Sequence, residues 1–171
     1  GRIFWEPTLP DMSPRDRYAI YDSMNETLAR LHTVDYEKIG LADFGKPGNY
    51  FARQIGRWTK QYQASATEKI AEMDRLIEWL PATIPPGDET TIVHGDYRID
   101  NMIFTPDGAR LLAVIDWELS TIGHPFSDLA YQCMQWRFPN HETMRGLANV
   151  DRNLIEAALD VFGRQGFEGA T

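Results

Sequence analysis

The hydrophobic period of this chain changes at Pro85-Pro86-Gly87, and that change limits what the chain can fold into. Before it, apolar residues recur every three or four positions, as on one face of a helix. After it come short β-rich runs bounded by turn residues, Ile92-Val93, Met102-Ile103-Phe104 and Leu111 to Ile115. Helical character then returns over Asp128 to Trp136 and again over Asn153 to Phe162, where Gly163 reads as a C-cap. The order predicts a mainly helical α+β fold with a small antiparallel hairpin in its middle.

Local signals place the first helix well. Ser13 is a natural N-cap, Pro14 suits the first helical position and Asp16 sits where a capping acid belongs. Tyr21, Met24, Leu28 and Leu31 then form one stripe, and Glu26 precedes Arg30 by one turn, the favourable order for an exposed ion pair. A second stripe runs Phe51, Ile55, Trp58, Tyr62, and its period predicts core positions. A third runs Ile70, Met73, Ile77, Leu80 and is expected to stop at Pro81. Thr105-Pro106-Asp107-Gly108 has Pro second and Gly fourth, the chemistry of a type I turn joining two strands.

Between those strands the polar residues are dense: His94, Asp96, Asp100, Asn101, Asp116, Glu118. Phosphoryl transfer to a hydroxyl asks a protein mainly for positioning and charge neutralisation. A carboxylate must sit beside the acceptor oxygen, and a divalent cation must be held by hard oxygen ligands against the triphosphate. Asp96 suits the first task. Asn101 and Asp116, brought together by the Thr105–Gly108 turn, suit the second. The interval from Asp96 to Asn101 is that of the kinase pattern H-R-D-x-x-x-x-N, with Gly95 in place of the arginine.

His94-Gly95-Asp96-Tyr97-Arg98-Ile99-Asp100-Asn101, followed by Ile115-Asp116-Trp117-Glu118, resembles the aminoglycoside phosphotransferase family, which includes choline-kinase-like and related small-molecule kinases. The resemblance implies a protein-kinase-like C-terminal lobe. It also implies Asp96 as catalytic base, Asn101 and Asp116 as Mg²⁺ ligands, and His94 as a structural residue of the loop. Gly1 to Trp5, Thr59 to Ala64 and Trp117 to Pro125 carry a narrower likeness over roughly residues 1–138. They look like the phosphotransferase domains related to those fused to acyl-CoA dehydrogenases. In that group Asp128, within Ser127-Asp128-Leu129-Ala130, resembles a buried Asp that braces the catalytic loop from a helix start, where a carboxylate can accept backbone N–H bonds.

Other residues keep two readings. Glu118, two positions after Asp116, is either near the metal or a hydrated strand-end acid. Asp100 reads as a loop-capping acid. Arg53, Arg57 and Lys60 form a basic row on the second helix, either a solvated face or contacts for an anionic substrate such as a CoA phosphate. Cys133 reads as an inert buried thiol. A metal hydrolase built on His94 and Asp96 would need further ligands, and His32, His124 and His141 have no companions at a recognisable spacing.

Composition narrows the partners. A formal charge of −8 argues against general nucleic-acid binding, which needs a cationic face. It also means that phosphate must be met by local cations or a metal. No apolar run reaches membrane-spanning length, and one cysteine fits a reducing, cytoplasmic setting. The expected function is transfer of the ATP γ-phosphoryl group to a hydroxyl of a small molecule, with Mg²⁺, and the narrower resemblance implies an acyl-CoA-linked acceptor; the alternative is a catalytically silent lobe that binds a ligand or partner. Residues 1–12 read as the end of an interlobe linker and 13–171 as the catalytic lobe. No glycine hairpin or strand lysine for nucleotide phosphates precedes residue 90, so the nucleotide-gripping lobe is expected to lie outside this chain, whether the chain is a domain of a longer protein, a truncation or a stand-alone lobe.

Overall fold

A computed structural model describes residues 1–108, 110–141 and 144–148. The helix expected over 153–162, with its Gly163 cap, lies outside the described residues. Helix α1 spans Pro14–His32, α2 Tyr50–Ser65, α3 Ala71–Ala82 and α4 Phe126–Met134. The strands are short: β1 Thr91–Val93, β2 Met102–Phe104, β3 Leu111–Val114, β4 Thr121–Gly123, β5 Asn140–His141 and β6 Met144–Arg145. They pair antiparallel as β1 with β4, β2 with β3, and β5 with β6.

Helix α1 starts as its sequence dictates. Ser13 Oγ accepts the Asp16 N–H at 3.2 Å and its hydroxyl donates to Asp16 Oδ2 at 2.7 Å, so two groups at the helix start are satisfied together. One face of α1, Ile20, Tyr21, Met24 and Leu28, is buried. It packs with Phe4, Leu9, Tyr97, Ile99, Met102 and Phe104 into one core. Polar bonds pin this contact: the Tyr97 hydroxyl donates to Met24 O at 2.7 Å, and Ser23 Oγ accepts the Leu111 N–H at 2.9 Å. The main helix is thereby fixed to both the loop after β1 and the hairpin.

The β2–β3 hairpin closes through the Thr105–Gly108 turn, with the Gly108 N–H donating to Thr105 O at 2.8 Å. Gly108 has φ of +79°, and a Cβ there would come within 3.1 Å of the Phe4 ring. The β1–β4 pair was not apparent in the sequence pattern; it carries the segment after Asp116 back beside Val93.

Three sequence expectations need correction. No residue of α2 or α3 is fully buried, and Trp58 is 60% exposed. Helix α2 packs on α3 and, through Phe51, on the His124 ring at 4.7 Å rather than entering the core, so the period is real but the partner surface is small. Pro81 lies inside α3 instead of ending it. Its missing N–H removes a single bond in the last turn, and the helix stops one residue later anyway. Helix α4 starts at Phe126, two residues before the expected Asp128, which places Asp128 in its first turn.

This distribution of burial predicts opposite outcomes for two large apolar residues. Met24→Ala, at 1% exposure, is expected to cost about 2–5 kcal/mol in urea denaturation. Trp58→Ala is expected to stay within about 1 kcal/mol of the parent.

Candidate functional site

Strand β1 delivers His94 into the core, where it is fully buried, and the chain turns sharply at Gly95. Gly95 has φ of +87°, and a Cβ on it would sit 2.6 Å from Leu119 O. A side chain at this position is therefore doubly excluded, which is the physical reason glycine stands where the protein-kinase pattern has arginine.

The His94 ring joins the two halves of the site. Nδ1 accepts the Asp96 N–H at 3.2 Å, so Nε2 carries the proton and donates to Ile115 O at 3.0 Å. Trp117 packs edge-on against the ring at 4.7 Å. One buried imidazole thus sets the spacing between Asp96 and the residue preceding Asp116. Its expected loop-structuring role has this geometry behind it.

Asp128, fully buried, accepts three N–H bonds. Oδ2 takes the His94 N–H at 2.7 Å, Oδ1 takes the Gly95 N–H at 2.8 Å, and His32 Nε2 approaches Oδ2 at 3.1 Å. The brace runs from α4 to the residues just before Asp96; the third partner, from the end of α1, had no signal in the sequence.

The spacer from Asp96 to Asn101 closes on itself. Ile99–Asn101 forms a 3-10 turn, and the Asn101 Nδ2 group donates to Asp96 Oδ2 at 2.9 Å and to Asp96 O at 3.0 Å. With both amide protons committed to Asp96, the amide oxygen of Asn101 is the group left for a hard cation. The Ile115 N–H donates to Asn101 O at 2.9 Å, beside the Met102–Val114 pair, so Asn101 and the Ile115–Asp116 backbone are neighbours at the open end of the hairpin. Asp116 itself adopts a left-handed backbone, φ +66°, ψ +59°, a conformation that acids tolerate better than most side chains and that is enriched at functional positions.

That left-handed residue ends the strand, so Glu118 lies on a 3-10 turn, Trp117–Leu119, and is exposed. The strand alternation that put Glu118 on one side with Asp116 does not hold. Asp100 accepts both an Nε and an Nη2 bond from Arg98 and closes the loop with it. Tyr131 of α4 faces Asp96 and Arg98; burial, then its hydrogen bond with Asp96, pushes its phenol above the usual range. Nothing in the spacing of Tyr131 singled it out. Cys133 is half-buried, with burial raising its thiol pKa.

The basic row divides. Arg53 Nη2 donates to Lys46 O, whereas Arg57 and Lys60 are exposed. Lys60 also borders an open groove of about 410 Å³ between α2 and α3, with Ile55, Thr59, Gln63, Ile77 and Ile84. The His124 ring accepts the Phe126 N–H through Nδ1 at 3.2 Å and donates to Glu89 through Nε2 at 3.0 Å. Among the described residues no three His, Cys, Asp or Glu side chains are grouped to hold a metal. A cation at this site would take one amide and one carboxylate oxygen from the protein and the rest from phosphate and water, which is how Mg²⁺ is commonly held beside nucleotides. The donor set fits. No helix among the described residues is long and apolar enough to cross a membrane.

Comparison with known proteins agrees with this geometry. The model of the phosphotransferase enzyme family, abbreviated APH, matches residues 1–167. Mouse acyl-CoA dehydrogenase family member 10 is 49% identical over 152 residues, which are 88% of this chain but 14% of that protein. A crystal structure of a Ralstonia eutropha protein of the aminoglycoside phosphotransferase kind is 53% identical, with a TM-score of 0.92 over 100% of this chain and 52% of its own. The streptomycin–ATP complex of the phosphotransferase APH(2")-IIa, at 19% identity and TM-score 0.58, covers 99% of this chain and 56% of its own and shares the fold. The chain therefore spans about a seventh of the mouse relative and about half of the bacterial structure. It belongs to the phosphotransferase enzyme family, with a protein-kinase-like fold that is mostly helical and carries small antiparallel sheets.

The brace makes a stability prediction. In Asp128→Asn one acceptor oxygen is replaced by a donor that faces an N–H group, leaving buried polar groups unpaired. A loss of about 3 kcal/mol in denaturation is expected.

Proposed function

We propose that this member of the phosphotransferase enzyme family transfers the γ-phosphoryl group of ATP to a hydroxyl of a small molecule, with Asp96 as the base. The observation that carries the reading is the Asp96–Asn101 pair, held by two Asn101 N–H bonds, beside Asp116 at the open end of the hairpin. Asp96 Oδ2 is engaged by Asn101, which orients the carboxylate so that its other oxygen can receive an acceptor hydroxyl. That oxygen takes the hydroxyl proton as the acceptor oxygen bonds to the γ-phosphorus and the bond from phosphorus to the bridging oxygen of ADP breaks. Asn101 Oδ1 and the Asp116 carboxylate would hold Mg²⁺, which when bound neutralises the charge on the phosphate oxygens. Glu118, exposed on the turn two residues beyond Asp116, would stand near the same cation, as a direct ligand or through water.

The chain's residues 13–171 act in this reading as a catalytic lobe, 1–12 as the end of a linker, and the grip on the nucleotide comes from a partner lobe. Lys60, beside the apolar α2–α3 groove, and the exposed Arg57 three residues before it suit an acceptor with both an anionic and an apolar part, as an acyl-CoA-linked hydroxyl compound has; Arg53 supports the Lys46 segment. The likeness to an acyl-CoA dehydrogenase family member points the same way. A second reading is a lobe that binds a ligand or partner without catalysis.

The test incubates the longest native form with ATP, Mg²⁺ and a panel of hydroxyl compounds that includes hydroxyacyl-CoA esters. Phosphorylated product that disappears on chelation of Mg²⁺ supports transfer; binding without product supports the second reading. Asp96→Ala is expected to lower kcat by about 10²–10⁴-fold while the thermal midpoint stays near that of the parent. Arg57→Ala is expected to raise KM for CoA esters with little change in kcat. An unchanged KM removes the basic row from the substrate site.

A further inference from the structure

We propose that His124 and Glu89 are positioning residues for the phosphoryl acceptor, a clasp that sets the α2–α3 hairpin against the body carrying Asp96; the inference rests on the α2–α3 groove being the acceptor site. His124 directly follows β4 and is buried, whereas Glu89, two residues before β1, has a side chain that is 64% exposed. The imidazole has both nitrogens committed. Nδ1 accepts the Phe126 N–H at 3.2 Å, which leaves the proton on Nε2, 3.0 Å from Glu89 Oε2. The rings of Phe51 and Phe126 flank it at 4.7 and 4.9 Å. The His124 carbonyl accepts both the N–H and the hydroxyl of Ser127, at 3.0 and 2.8 Å, so the residue is fixed to the start of α4.

An exposed carboxylate usually gains little from an ion pair. Here its partner is a buried N–H, boxed by two aromatic rings, that Glu89 alone satisfies among the described residues. Both ends of the hairpin converge on this point. Phe51 lies in the first turn of α2, and Asp88, the neighbour of Glu89, accepts the Asn49 N–H at 2.7 Å just before that helix. A Cβ on Gly123 would come within 2.7 Å of the Tyr50 ring, so β4 and α2 are in close contact there. Beyond its base the hairpin has little hold on the protein, since neither helix has a fully buried residue. Lys60, on the groove, lies about 14 Å along α2 from Phe51 at about 1.5 Å per residue. A tilt of about 10° at the base therefore displaces that part of the groove by about 2 Å, enough to spoil the approach of a hydroxyl to Asp96.

Glu89 is the residue to change, because it is exposed and its loss leaves the core untouched. Glu89→Ala removes the acceptor of the His124 N–H; Glu89→Gln keeps one in its amide oxygen. Gly56→Leu tests the groove itself, since Gly56 lines it and a Cβ there meets nothing within 4 Å. The assay uses the longest native form with MgATP and a hydroxyacyl-CoA ester. Glu89→Ala is expected to lower kcat/KM for the ester about fivefold, the worth of one hydrogen bond, and to leave KM for MgATP as it was. Glu89→Gln is expected to restore most of the loss, and Gly56→Leu to lower kcat/KM for the ester as well. Residue-resolved amide exchange in Glu89→Ala should be about fivefold faster at Asn49 and Phe126, with α1 and the β2–β3 hairpin unchanged. An indifferent Glu89→Ala beside an impaired Gly56→Leu, a Glu89→Gln protein as impaired as Glu89→Ala, or faster exchange spread over α1 and the hairpin overturns the clasp. A Gly56→Leu protein that matches the parent, or a parent that transfers no phosphoryl group, overturns instead the reading on which the clasp rests, and its role with it.

Discussion

The buried carboxylate of Asp128 is the contact on which the rest of the site depends. A carboxylate removed from water loses several kcal/mol of hydration unless donors replace it, and here three N–H groups do so. Those donors come from the end of α1 and from the two residues after β1, so a single side chain of α4 draws three separate elements to one point. The turn at Gly95 would otherwise have little to hold it, since its left-handed backbone packs directly against Leu119 O. From there the order passes outward: the braced amide of His94 fixes the imidazole, the imidazole fixes Asp96 and Ile115, and Ile115 precedes Asp116.

The polar groups of the site are divided by function. His94 and Asp128 have their bonding capacity taken up inside the protein, which suits residues that shape the loop. Asn101 has both its N–H groups taken and its oxygen left over. Asp116 and Glu118 are exposed. An acidic chain of net charge −8 has no general attraction for a triphosphate, so a cation held between such oxygens and the phosphates is the economical way to bring the two together.

Much of this was legible in the sequence where local chemistry decides structure. Ser13, Pro14 and Asp16 announce the start of α1, and Thr105 to Gly108 announces the hairpin turn, because caps and turns are set by neighbouring residues. The Asp96–Asn101 interval was readable because a 3-10 turn in the spacer returns the amide to the carboxylate. What stayed hidden depends on distant partners. The period of α2 could not reveal that its apolar face meets α3 and the His124 ring rather than the main core. A three-residue strand such as β4 offers no alternation to detect. His32 and Tyr131 lie far from the loop in sequence and reach Asp128 and Asp96 only once α1 and α4 have packed. Glu118 was misplaced on a strand because the left-handed Asp116 that ends β3 leaves no mark in the residue types around it.

The central claim is that Asn101 and Asp116 form a cation site at the base Asp96, and a paramagnetic titration tests it most directly. Mn²⁺·ATP, which takes the place of Mg²⁺·ATP, is added stepwise to the isotopically labelled chain while backbone amide signals are followed. Line broadening that centres on Asp96, Asn101 and Asp116 and largely vanishes in Asp116→Ala is the predicted result. Broadening that centres on other surface acids, or that is the same in Asp116→Ala, would contradict the account.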